Sequence, residues 1–203
     1  MSSFGQLLVL SGPSGVGKTT IAHRLLAGDS AGRGRSRIER SISYTTRPPR
    51  PGEREGRDYY FVNRAEFLRL IKKNAFLEWA QLFGYYYGTP RREAQRRLRR
   101  GINLLLVIDV QGAAQLRRRR GRLAVPFSFI FVLPPSLAIL RTRLEARQSE
   151  GPEQLELRLQ TARRELRAAA QFDYLVINRS LDQAVGAIEQ VIGATGRSPL
   201  VSI

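Results

Sequence analysis

Apolar runs and helically spaced apolar residues alternate along most of the chain. Leu7–Leu10, Asn103–Val110, Phe127–Leu133 and Tyr174–Asn178 are runs with little polar interruption. Runs of that length without strict alternation predict strands covered on both faces, as in a parallel sheet. Arg37–Ser43 reads as a further strand. Helical spacing is predicted over Thr20–Leu26 and over about 136–147, 153–170 and 181–193. Strands alternating with helices predict an α/β fold, a doubly wound and mostly parallel sheet with right-handed crossovers.

One segment breaks the alternation. Three prolines in Tyr44–Glu53 exclude helix and central strand, leaving a stiff extended loop that carries Arg47 and Arg50. Asp58–Val62, Phe76–Leu82 and Gly84–Gly88 read as short strands. Asn63 is the expected N-cap of a helix over Arg64–Lys73. Thr89-Pro90 is the expected cap and first-turn proline of a helix running to about Arg100. The expected organisation is one domain over 1–203 with a core at 1–42, 91–136 and 161–196. An inserted β-rich subdomain fills 43–90, a helical lid 137–160 and a frayed tail 197–203.

Composition narrows the class. At 203 residues and 42% apolar, the chain can bury one α/β core, and no window approaches the length of a membrane span. The start lacks the basic-then-apolar order of a secretory signal, and there is no cysteine for disulfides or thiolate metal sites. A cytoplasmic protein with no membrane partner is expected. Thirty-four basic residues against 17 acidic give a charge of +17, mostly arginine. The runs at 91–100 and 117–120 suit either solvated helix faces or a phosphate-tracking surface. They carry little aromatic interleaving, so single-strand stacking is not suggested, and nucleic-acid binding is not expected although the charge does not exclude it. Nothing in the sequence sets an oligomeric state.

Candidate chemistry concentrates after the first strand. Gly12-Pro13-Ser14-Gly15-Val16-Gly17-Lys18-Thr19 matches G-x-x-x-x-G-K-[ST], and Thr20 continues into the helix. Glycines let backbone N–H groups approach a phosphate, and the helix N-terminus adds its dipole. Lys18 supplies a charge for the β/γ-phosphates, and Thr19 a hydroxyl for Mg²⁺. A kinase, an ATPase motor and a GTPase switch all remain open at this point.

A second set of groups narrows the choice. Arg47 and Arg50 can fork onto another phosphate, and Tyr59 and Tyr87 offer phenolic hydroxyls. Glu78 could accept from two donors at once; guanine presents N1–H and a 2-amino group, whereas adenine has an acceptor at N1. Asp109, ending an apolar run, is placed either as a Walker-B-like acid or as a cap of the following helix.

These motifs resemble those of the guanylate kinases, from about Gln6 to Ile192. The resemblance rests on Ser11–Thr19, Ser43-x-Thr-Thr-Arg-x-Pro-Arg50, Asp58–Phe61, Glu78–Gln81, Tyr86–Pro90, Ile108–Gly112 and Leu133–Ser136, in order and at matching spacing. It implies phosphoryl transfer from ATP, the co-substrate, to GMP, with Mg²⁺. Arg47, Arg50, Tyr59 and Tyr87 would hold the GMP phosphate, and Ser43, Glu78 and Thr89 would read the guanine. Asp109 would sit near metal and phosphates, touching the ion through water. Arg143, Arg147 and Arg158 would act from the lid on the transferring group. Asn178 would belong to the segment near the adenine. Closure of the 43–90 and 137–160 segments on ligand binding is expected, because transfer must exclude water.

Two positions depart from the family pattern. Val107 stands where many members carry an acid that binds the guanine amino group, which implies weaker GMP binding or softer discrimination. Asn178-Arg179-Ser180 replaces a common Asn-Asp-Asp. The rival reading is a kinase-like binding module without turnover. Val107 and the net charge favour it; Gly17-Lys18-Thr19, Arg47, Arg50 and Asp109 oppose it.

Overall fold

A computed structural model of the chain describes residues 4–29, 37–123, 125–146 and 152–193. In chain order the elements are β1 (Leu7–Ser11), α1 (Lys18–Asp29), β2 (Ile38–Arg40), β3 (Tyr44–Thr45), β4 (Tyr60–Phe61) and α2 (Arg64–Lys72). Next come β5 (Phe76–Leu82), β6 (Tyr85–Pro90), α3 (Arg91–Arg99), β7 (Asn103–Val107) and α4 (Val110–Arg118). β8 (Phe127–Leu133), α5 (Leu137–Glu145), α6 (Pro152–Leu166), β9 (Tyr174–Ile177) and α7 (Leu181–Gly193) complete the order. The strands form a five-stranded sheet, β2-β7-β1-β8-β9, and a four-stranded sheet, β4-β3-β6-β5. Among the described residues no helix is long and apolar enough to cross a membrane. The chain divides into two compact units, 1–7 with 36–127 and 8–35 with 128–203.

In the first unit β2 runs parallel to β7, with Ile38 opposite Asn103. The Asn103 side chain accepts from the Gln6 N–H at 2.8 Å, using a buried amide to tie down the chain entering β1. The small sheet is held by aromatics. Phe67 of α2 stacks on Phe76 and Tyr86 at centroid distances of 4.6 and 5.4 Å. Phe67, Leu70 and Ile71, spaced i, i+3, i+4, give α2 its apolar stripe toward the strands. Asn63 caps α2 by accepting from the Glu66 N–H, as its position predicts.

In the second unit β8 and β9 pair in parallel, Ile130 opposite Tyr174. β8 is buried almost end to end, Ser128 included, as its Phe, Ile and Val content requires. Leu140 and Leu144 of α5 bury against Leu159 and Ala162 of α6. Helix α7 packs on α1, burying Ala184, Val185, Ile188 and Val191.

Several element boundaries differ from expectation. The strand expected over Arg37–Ser43 is only Ile38–Arg40, and the proline-rich stretch opens with the two-residue β3. β6 runs on through Thr89 to Pro90, so Thr89 does not cap the next helix. Pro90 holds the cap position of α3 and makes no side-chain cap bond. The physical reason is a stronger claim on the Thr89 hydroxyl, which serves a buried carboxylate instead. The last turn of the helix expected over 153–170 tightens to a 3₁₀ turn at Arg167–Gln171. Arg147, the 147–151 part of the expected lid and the expected tail lie outside the described residues.

Candidate functional site

The phosphate loop belongs to the second unit and is shaped by backbone. Gly12 has φ +139°, and a Cβ there would lie 2.4 Å from the Val132 carbonyl oxygen. Gly17 has φ +99°, and a Cβ would lie 2.6 Å from the Asn178 amide nitrogen. Neither position accepts a side chain, and both conformations favour glycine. The first helical bond of α1 runs from the Ile21 N–H to the Gly17 carbonyl at 3.0 Å, so the loop feeds directly into a helix N-terminus. Lys18 Nζ donates to the Gly12 and Pro13 carbonyls at 2.6 and 2.9 Å. Thr19 and Thr20 are exposed on the first turn of α1.

Three predicted residues brace this loop. Asn178 is buried, and its Nδ2 donates to the Val16 carbonyl at 2.8 Å. Arg143 Nη2 donates to the Asn178 carbonyl at 3.1 Å, while its Nη1 is buried with no hydrogen-bond partner among the described residues. Arg158 Nη1 donates to Ser14 Oγ at 3.2 Å. Arg158 of α6 thus reaches the loop itself, and Arg143 of α5 reaches the residue that braces it.

The arginine and tyrosine groups belong to the first unit and are shaped by side chains. Arg47 is only 9% exposed and donates through Nη2 to both Glu53 oxygens, at 2.9 and 2.8 Å. Its Nη1 bonds the Pro48 carbonyl at 2.6 Å. Burial opposes the Arg47 charge, but the hydrogen bond and charge of Glu53 outweigh it and raise the pKa. Glu53 also accepts from the Arg50 N–H at 2.8 Å, so one carboxylate holds both arginine positions of the loop. The Arg47 guanidinium lies 5.5 Å from the Tyr59 ring centre, and Tyr59 meets Tyr87 edge-on at 6.2 Å. Burial pushes the Tyr87 phenol up, so it stays a neutral donor. Of its neighbours, Tyr86 joins the aromatic core and Tyr85 is exposed. Ser43 lies at the sheet margin, where its carbonyl accepts from the Tyr60 N–H at 2.9 Å.

Glu78 sits in the same unit and is 3% exposed. It lies opposite Thr89 across β5 and β6, and Thr89 Oγ1 donates to its Oε1 at 2.5 Å. Burial is the main cause that lifts its pKa to about 7; the Thr89 bond opposes the shift and the nearby Asp109 charge adds to it. Asp109 caps α4, its Oδ1 accepting from the Gly112 N–H at 2.8 Å. Both carboxylates therefore converge on the start of α4.

The guanylate kinase family profile matches residues 4–195, nearly the whole chain. The chain belongs to the guanylate kinase family. A guanylate kinase of Thermus thermophilus is 46% identical over 194 residues, covering 95% of this chain and 83% of the relative. One of Deinococcus radiodurans is also 46% identical, covering 91% of this chain and 73% of the relative. The crystal structure of guanylate kinase from Anaplasma phagocytophilum superposes with a TM-score of 0.78 at 35% identity, covering 97% of this chain and 89% of that one.

Within this guanylate kinase fold, each unit gathers its own predicted set. Arg47, Tyr59 and Tyr87 cluster in one, Glu78 and Thr89 pair beside Asp109, and Ser14, Val16, Arg143, Arg158 and Asn178 meet in the other. Sequence reasoning missed Glu53, which organises the arginines; its signal was the Pro-Gly-Glu that follows them. It also missed Gly112 and Gln115 of α4, which lie against β5. Val107 ends β7, partly buried.

Proposed function

We propose that the chain transfers the γ-phosphoryl group of ATP to GMP, giving GDP and ADP. The observation that carries this reading is the buried Glu78 carboxylate, held by Thr89 within the unit that also holds Arg47, Tyr59 and Tyr87. A carboxylate with one oxygen already satisfied offers the other lone pairs to an N–H/NH₂ pair. Guanine carries that pair. Adenine would set its N1 lone pair against the carboxylate, leaving a buried charge unpaired, the kind of mismatch that discriminates strongly. Arg47, Arg50, Tyr59 and Tyr87 then take the dianionic phosphate of the same nucleotide through charge-assisted bonds.

On the donor side, the glycine-wrapped loop and the start of α1 present N–H groups to the ATP phosphates. Lys18 exchanges its carbonyl partners for β/γ-phosphate oxygens. Arg143 and Arg158 neutralise charge on the group in flight, as mobile cations do in phosphoryl transfer. Arg147 is proposed for the same role. Asn178 supports the loop from below through Val16. No covalent intermediate is needed, since the GMP phosphate is itself the nucleophile and the work is positioning and charge neutralisation.

A divalent cation fits this donor set. Among the described residues no cluster of three His, Cys, Asp or Glu forms a cage, and an exposed Thr19 hydroxyl on the loop helix suits an ion brought by the nucleotide. Thr19 would hold Mg²⁺, with Asp109 contributing through water. The ion supplies neutralisation of β- and γ-phosphate charge.

The test is ADP release in the presence of ATP·Mg²⁺ and GMP, dGMP, AMP or IMP. Rapid turnover with GMP and dGMP, little with AMP, and reduced turnover with IMP, which lacks the 2-amino group, is expected. ADP release that ignores the identity of the acceptor would overturn the reading.

A further inference from the structure

β5 is an edge strand of the four-stranded sheet, so the N–H and C=O groups facing away from β6 need other partners. They find them on α4. Gln115 Nε2 donates to the Trp79 carbonyl at 2.5 Å, and its Oε1 accepts from the Trp79 N–H at 3.3 Å. One glutamine amide thus replaces a missing strand at that residue. Arg119 donates to the Leu77 carbonyl, and Gln111 Nε2 to the Gln81 carbonyl at 3.4 Å. Gln111 and Gln115 of α4 and Arg119 at its C-cap are spaced i, i+4, i+8, about 6 Å apart along a helix axis. Their targets alternate along β5, about 6.8 Å apart. The two repeats nearly match, and the pairing runs antiparallel.

Glu78 lies between the two strongest rungs, Leu77 and Trp79. Its carboxylate reaches Thr89 of β6 with one oxygen and the space left by Gly112 of α4 with the other. A Cβ on Gly112 would come 2.3 Å from Glu78 Oε2 and 3.0 Å from its carboxyl carbon. Gly112 has no positive φ, so its lack of a side chain answers to this carboxylate and not to backbone conformation. We infer that α4 sets the place of the Glu78 carboxylate, with Gln115 and Arg119 fixing the strand on either side and Gly112 leaving the room. They are positioning residues for base recognition, and the inference rests on Glu78 reading the base. The charged groups facing Glu78 are Asp109 at the cap of α4, which disfavours its ionisation, and Arg119, which favours it.

The test compares Gly112→Ala, Gln115→Met and Gln111→Met with Glu78→Gln in the full-length protein. Alanine is a better helix former than glycine, and the atom it strikes is the end of a side chain, so Gly112→Ala is expected to fold. KM for GMP should rise at least thirtyfold in Gly112→Ala and about three- to tenfold in Gln115→Met, with KM for ATP and kcat within about twofold. Gln111→Met, at the weakest rung, should stay within about twofold throughout. A purely structural role would move ATP and GMP parameters together and would lower the thermal midpoint in step.

A second readout separates this inference from the reading of Glu78 itself. The Glu78 carboxyl titration, followed by carbon NMR without nucleotide, should shift in Gly112→Ala and in Gln115→Met. If Glu78→Gln leaves KM for GMP unchanged, base reading by Glu78 fails, and the titration alone decides whether α4 positions the carboxylate. If Glu78→Gln raises KM while folded Gly112→Ala and Gln115→Met bind GMP and titrate as the parent does, the positioning inference is overturned.

Discussion

The two anion-binding regions are built by opposite means. The phosphate loop is backbone, contiguous in sequence, and held by glycines at which a Cβ would meet a carbonyl or an amide. The arginine, tyrosine and glutamate groups are side chains delivered by β5, β6, the turn before β4 and a proline-stiffened loop, and Arg47 and Glu78 are each kept in place by another side chain. A polyphosphate is a repeated, uniform ligand, and repeated N–H groups match it. A base edge and one phosphate are a unique pattern, so individually placed side chains are needed. The first design tolerates little substitution anywhere. The second has a few decisive positions and a supporting layer that can be changed one residue at a time.

That contrast can be broken most severely at Lys18. Lys18→Ala should lower kcat about a thousandfold, roughly 4 kcal/mol, with little change in KM for GMP. A comparable rise in KM for GMP would show that the two regions are not separately built. At Arg47, replacement by alanine removes a bidentate charged donor. KM for GMP should rise about a hundredfold, close to 3 kcal/mol, in steady-state kinetics at fixed ATP. The variant also leaves Glu53 without its charged partner, with only the Arg50 N–H remaining, so a lower thermal midpoint is expected beside the kinetic loss.

Glu78 offers the sharpest contrast between binding and stability. Its carboxyl pKa is raised in the fold to about 7 from an ordinary 4.5, so ionising it costs stability as pH climbs between those values. Glu78→Gln should therefore stabilise the ligand-free protein by up to about 3 kcal/mol at pH 8, and the gain should fade toward zero by about pH 4.5. Urea titrations at the two pH values check this; a pH-independent difference would refute it. The parent enzyme needs the ionised form to accept from two donors. KM for GMP should accordingly rise as pH falls below about 7, approaching tenfold per unit, and stay level above it. The smallest effect is expected at Asn178. Asn178→Ala removes one bond to the loop and should raise KM for ATP a few-fold, about 1 kcal/mol, leaving KM for GMP unchanged.

The α/β class, the phosphate loop and the strand–helix order were legible in the chain because each is written in contiguous residues: unbroken apolar runs, helical spacing, glycines at fixed intervals. Asn63 could be recognised as a cap for the same local reason. Partnerships across the chain could not be read that way. Thr89 looks like a helix cap in its local setting and becomes one only if nothing stronger asks for its hydroxyl. In the folded unit Glu78, eleven residues away, does ask. Glu53 holding Arg47 and Arg50, Gln115 standing in for a strand beside Trp79, and Gly112 making room for a carboxylate are likewise invisible to spacing. Sequence alone determined the order and type of the main strands and helices, though not their ends or the short β3, since those follow from local sterics and periodicity. Only the tertiary structure decided which polar group each buried donor and acceptor would meet, because burial makes every such group need a partner and leaves its choice to packing.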